Sequence, residues 1–130
     1  MLFDHVDLRV TSLPKVRALY DALLPAMGFG RIVEDAESIC YYEPTGDRTA
    51  PFFCLDCDPG HQPNLTRLAL AAPSRSEVDR LAAIARDAQA IAFEPPQLCE
   101  EYTPLYYAAF FEDRDGNKLE ICFREAPPFE

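Results

Sequence analysis

The chain has 130 residues, 48% of them hydrophobic and 12% aromatic, and carries a formal charge of -10 at neutral pH. Such a length suits one globular domain with a real apolar core, and no apolar run approaches a membrane span. The acidic excess would repel nucleic acid phosphates and anionic lipid, so neither nucleic acid nor a membrane is an expected partner.

The N-terminus, Met1-Leu2-Phe3-Asp4-His5, lacks the basic start and apolar stretch of a secretory signal, which gives a cytoplasmic expectation. Residues 3–10 then alternate, with Val6, Leu8 and Val10 on one face and His5, Asp7 and Arg9 on the other, the pattern of a half-buried strand. After Ser12 as N-cap and Pro14 in the first turn, Val16, Leu19, Tyr20, Leu23, Leu24 and Met27 recur at helical spacing until Gly28 and Gly30. Three strands are predicted at about 31–35, 38–43 and 51–57, divided by an acidic turn and by Pro44-Thr45-Gly46-Asp47. A turn-rich loop at 58–64 resets the pattern.

Residues 65–72 form the next predicted strand, and Ser74 with Glu77 reads as a capping box for a helix through about Gln89. The stretch 90–104 reads as a short strand followed by a Pro-rich loop, and 105–112 with 118–124 as a hairpin around Asp113-Arg114-Asp115-Gly116-Asn117. A slide of 62 residues superposes Val6 on Leu68, Leu8 on Leu70, Ser12 on Ser74 and Val16 on Val78, the mark of a degenerate internal duplication. The predicted class is therefore α+β, with two β-α-β-β-β modules at about 1–58 and 64–125. A single module cannot cover both faces of its sheet, so the two are expected to form one curved mixed sheet around a cleft, helices outside.

If the apolar strand faces meet the helices, His5, Asp7 and Arg9 of the first strand point into that cleft, as do Lys118, Glu120, Cys122 and Arg124 of the last. His5 with Glu120 has the chemistry of a divalent-metal pair, although a strand His and a strand Glu also serve as ordinary hydrogen-bond partners. Tyr41, Tyr42, Tyr102, Tyr106 and Tyr107, with Phe52 and Phe110, offer stacking surfaces and phenolic hydrogen bonds for an aromatic or planar ligand.

The opening Phe3-Asp-His-Val-Asp-Leu-Arg-Val10, and above all Tyr106-Tyr-Ala-Ala-Phe-Phe-Glu-Asp-Arg-Asp-Gly-Asn-Lys-Leu-Glu-Ile121, resemble the glyoxalase/bleomycin resistance/dioxygenase superfamily, also called vicinal oxygen chelate. The resemblance implies paired modules, frequent dimerisation and a divalent metal (zinc, nickel, manganese or iron) bound by residues matching His5, a His opening the second module, and Glu120. At that second position stands Arg67, which the internal slide also pairs with His5. Arginine keeps its proton and has no lone pair, so it repels a metal rather than binding one.

Asp56, on the strand expected to match that of Glu120, is the candidate additional ligand; His61 would lie about 20 Å from Arg67 if the intervening chain were extended. Two uses of the cup follow. Either His5, Glu120 and Asp56 hold a metal that polarises a substrate, or the cup holds none and Arg67 pairs with Glu120 or grips an anionic ligand through its planar fork. The second is the expectation: a small-molecule-binding homodimer with no cofactor. The alternatives are a metal-dependent lyase, isomerase or ring-cleaving dioxygenase with Glu120 catalytic, and a resistance protein that sequesters a toxic compound.

The five cysteines (Cys40, Cys54, Cys57, Cys99 and Cys122) are odd in number and are read as buried thiols rather than a disulfide framework. Cys54-Leu-Asp-Cys57 places its thiols on opposite strand faces and is no zinc motif. The Asp113–Asn117 stretch has its glycine too early for a calcium loop. Replacing Arg67 with His is expected to raise affinity for a divalent ion if His5 and Glu120 share one cleft. Nickel titration followed by thermal stability measures it, and unchanged affinity would separate those two residues.

Overall fold

A computed structural model describes residues 2–45 and 50–125. The chain divides into two compact units, Met1–Gln62 and Pro63–Glu130. Gly46 and Asp47 of the second predicted turn lie outside the described residues.

The first unit contains β1 (His5–Val10), α1 (Leu13–Ala26), β2 (Arg31–Glu34), β3 (Ser38–Tyr42) and β4 (Phe52–Cys57). Its sheet runs β1-β4-β3-β2, with β1 and β4 parallel and the other pairs antiparallel. Val16, Leu19, Tyr20, Leu23 and Leu24 of α1 are buried, as are Ile39, Tyr41, Phe53 and Leu55 of the sheet face that meets the helix. Pro14 lies in the first turn of α1, where a missing N–H leaves no bond unmade. Gly28, at φ 98°, follows the helix end in the left-handed region that glycine enters without steric cost.

The second unit repeats the order with β5 (Arg67–Ala71), α2 (Arg75–Asp87), β6 (Ile91–Leu98), β7 (Tyr106–Glu112) and β8 (Lys118–Arg124). Its sheet runs β5-β8-β7-β6, with only β5 and β8 parallel. Each unit thus supplies a four-stranded mixed sheet and one helix, the predicted class. Ser74 Oγ accepts from the Glu77 N–H, as the capping box requires, but the Glu77 carboxylate turns to Arg80 instead of back to the cap. In the β7–β8 hairpin, the buried Asp113 carboxylate accepts from the backbone N–H groups of Asp115 and Asn117 and from the Asn117 amide, which explains the run of turn residues there.

Two expectations are corrected. Residues 91–98 form one eight-residue strand that continues through Pro95 and Pro96, rather than a short strand and a loop. This is compatible with proline because β6 is an edge strand and its pairing to β7 carries register shifts. The cysteines are not all free thiols either. Cys40 and Cys54 face each other directly across the antiparallel β3–β4 pair, with Cα atoms 4.1 Å apart, and form a disulfide, while Cys57, Cys99 and Cys122 remain thiols. Strand register, which cysteine counting does not contain, brings the two sulfurs together.

The cross-link spans 14 residues of sequence, so in the chain-entropy account its removal costs about 3 kcal/mol of stability. Unfolded without reductant, the protein should expose three thiols to a thiol-reactive dye, and five after reduction. The Cys40→Ser/Cys54→Ser double variant should show a correspondingly lower unfolding midpoint in urea.

Candidate functional site

Residues paired across neighbouring strands share a sheet face, so the β5–β8–β7 register defines the face turned away from α2. Arg67 is opposite Lys118, Ala69 opposite Glu120 and Ala71 opposite Cys122; across β8, Glu120 is opposite Phe110, Cys122 opposite Ala108 and Arg124 opposite Tyr106. Tyr106, Ala108, Phe110 and Glu120 are buried on this face, whereas Arg67 and Arg124 are exposed.

Glu120 is 5% exposed, and a carboxylate so placed needs a donor. The Tyr106 hydroxyl donates to it. Burial raises the Tyr106 phenol well above the usual range, with Cys122 and Glu120 adding to the shift, so the hydroxyl remains a donor at neutral pH. Burial also pushes the neighbouring thiols up: Cys122, on which Glu120 acts in the same direction, and Cys99, which feels Glu101 and Glu120. Cys99 packs with Tyr106, Ala108 and Phe110, and Tyr102 lies edge-on to Tyr106 with centroids 5.1 Å apart.

Arg67 reaches from β5 across β8 to place its guanidinium 4.8 Å from the Phe110 ring centroid. It makes no hydrogen bond or ion pair among the described residues, so the expected pairing with Glu120 is not formed. Its planar fork keeps its donors for something else. Arg124 stands in the same way over Tyr106, at 4.7 Å.

Two of the predicted ligand-lining tyrosines face their helices instead. Tyr41 is opposite Phe53, is fully buried, and donates to Asp21 of α1 at 2.8 Å. Tyr107 is opposite Phe123 and donates to Asp79 of α2 at 2.6 Å. Adjacent strand residues point to opposite sides, so of each Tyr-Tyr pair only Tyr42 and Tyr106 take the open face. Arg124, Cys122 and Cys99 were not among the predicted site residues. The alternation of β8 already placed the first two beside Glu120.

On the corresponding face of the first unit, His5 stacks on Phe52 with centroids 4.5 Å apart, its Nδ1 is 2.8 Å from Asp4 Oδ1, and its Nε2 is 3.7 Å from Asp7 Oδ2. Asp56 accepts from Arg9 at 2.8 Å. Asp7 is opposite Cys54 as Ala69 is opposite Glu120, so the positional counterpart of Glu120 is Cys54 rather than Asp56. The Cys54 sulfur is bonded to Cys40.

These donors do not fit the metal that the family implies. Arg67 cannot coordinate, Asp56 is engaged by a guanidinium, Cys54 is in a disulfide and Glu120 is bonded to a phenol. Among the described residues, no group of three or more His, Cys, Asp or Glu side chains is arranged to hold a metal. The site can instead offer a stacking surface, a cation and a fixed carboxylate.

Solved structures share this fold. A glyoxalase/bleomycin resistance protein from Albidiferax ferrireducens aligns over 96% of this chain and 100% of its own, at 28% identity and a TM-score of 0.76. A glyoxalase-related enzyme from Fulvimarina pelagi aligns over 95% and 88%, at 18% identity and a TM-score of 0.69. The fosfomycin resistance protein FosX of Listeria monocytogenes aligns over 96% and 94%, at 14% identity and a TM-score of 0.68. No protein-family model matches the sequence, and comparison with curated proteins finds no match. The chain has the fold of the glyoxalase/bleomycin resistance/dioxygenase superfamily, and these likenesses support its place there. Among the described residues, no helix is long and apolar enough to cross a membrane.

The buried phenols predict a pH dependence. Tyr41, shifted up by burial and by its bond to Asp21, and Tyr106 keep their protons in the folded chain after the unfolded chain has released its own near pH 10. Unfolding then releases protons, so stability is unaffected below about pH 10 and falls above it. Urea unfolding at pH 9, 10 and 11 checks this, and the Tyr41→Phe/Tyr106→Phe variant should show a flatter fall.

Proposed function

We propose that this chain binds a small organic anion with an aromatic or planar body, seated on the open face of the β5–β8–β7–β6 sheet. The observation that carries the reading is the exposed Arg67 fork, stacked on Phe110 beside the buried Glu120 and committed to no acidic group of this acidic protein. A guanidinium held over a ring face is partly desolvated on that side, and its planar fork favours a bidentate carboxylate or a similar oxyanion. Tyr102, more than half exposed and edge-on to Tyr106, offers an aromatic wall for the ligand body.

The mode of action proposed is recognition without a metal cofactor, in a homodimer. A second reading, supported by the Tyr106–Glu120 hydrogen bond, adds catalysis. Glu120, aligned by a phenol that stays protonated, would take up a proton from a ligand held by Arg67. Lyase or isomerase chemistry of the glyoxalase kind, or sequestration of a toxic compound, would both begin with this binding step.

Isothermal titration with benzoate and with neutral benzamide tests the reading. Benzoate should bind and benzamide should not, and Arg67→Gln should weaken benzoate by about tenfold or more, the worth of one charge-assisted contact. Equal binding of the two compounds, or an unchanged Arg67→Gln variant, would sink it.

A further inference from the structure

The charge inventory singles out a second group. The described basic side chains Arg9, Arg17, Arg75, Arg80, Arg86 and Lys118 each pair with a carboxylate, and Arg114 donates to Gln89. Lys15 and Arg31 are not free either, and Arg31 also stands over the Tyr42 ring. Among the described residues, Arg67 and Arg124 make neither a hydrogen bond nor an ion pair, in a chain whose 22 acidic residues outnumber its 12 basic ones. Both lie on one face of one sheet, and each is spread over an aromatic ring of the same strand, Phe110 and Tyr106 respectively.

We infer that the ligand of this site carries an anionic group at each end: a rod-like dianion with an uncharged, aromatic middle, gripped by Arg67 and Arg124. The inference rests on the binding reading proposed above and adds the second anchor to it. Tyr106 and Phe110 are four residues apart on β7, about 13 Å in an extended strand. The Tyr106 hydroxyl reaches Glu120, which is opposite Phe110, so its ring leans along the strand towards Phe110.

What lies between them decides the character of the ligand body. Ala108 leaves room, burial keeps the Cys122 thiol protonated, and the Glu120 carboxylate, with Glu94 opposite Phe110 on the neighbouring strand, would repel an anion placed centrally. Negative charge is therefore favoured at the two ends and disfavoured in the middle. Lys118 does not alter this, because Glu112 neutralises it at 2.9 Å.

The test uses the full-length protein and para-substituted benzene and biphenyl carrying one or two carboxylates, with affinities measured by calorimetry. At least one dicarboxylate should bind about tenfold or more tightly than its own monocarboxylate, and in Arg124→Gln that ratio should collapse to about one. Monocarboxylates that bind through Arg67 with no advantage for either dicarboxylate would overturn this inference and leave the binding reading standing. A dicarboxylate advantage that survives Arg124→Gln would also overturn it, since the second anchor would be some other group. Binding of none of the four compounds would remove both.

Discussion

Each four-stranded sheet of this protein has one helix to cover it, and the fate of the uncovered face governs the rest. Covering one side makes strand alternation decisive, because every second residue must be apolar enough for the helix interface while its neighbours face outward. In the second unit the outward side is not simply polar. Tyr106, Ala108 and Phe110 bury themselves there with the carboxylate of Glu120, and such a carboxylate must be given a donor. Tyr106 is that donor, which lays its ring along the strand and makes it a platform for Arg124, as Phe110 is for Arg67.

The sequence was most legible where alternation was clean. In β1 and β8 apolar and polar residues interchange, so parity alone put His5 and Asp7 on the open face of the first sheet, and Glu120 and Arg124 on that of the second. It failed where two aromatics are adjacent. Tyr41-Tyr42 and Tyr106-Tyr107 read as equally apolar, and only the register with β4 and β8 reveals which member of each pair bonds to a helix carboxylate. In β6, the prolines imitated a loop signal because an edge strand is the place in a sheet that tolerates them. Asp56 reads as a match for Glu120 although Cys54 is its positional counterpart, because the register of β4 cannot be read from sequence to within a residue or two. The disulfide escaped notice because compartment and parity of number say nothing about which strands are neighbours.

The internal duplication kept its backbone and changed its chemistry at three related positions. His5 in one unit is Arg67 in the other, and the cross-strand couple Cys40–Cys54 corresponds to Phe110–Glu120. One copy carries a covalent tie at the centre of its open face, the other an aromatic ring beside a carboxylate held by a phenol. A strand pair fixes where side chains point without fixing what they are, so the fold is retained while the chemistry of the surface diverges.

The prolines of β6 have a further effect, on how the molecule behaves in a crowd. An edge strand displays a row of unpaired amides that invites other chains to extend the sheet, the first step towards aggregates. Pro95 and Pro96 lack that hydrogen, and the irregular pairing of β6 with β7 interrupts the flat row that a newcomer would need. With Ile91 and Leu98 exposed on this rim, the two rings blunt an edge that would otherwise be sticky.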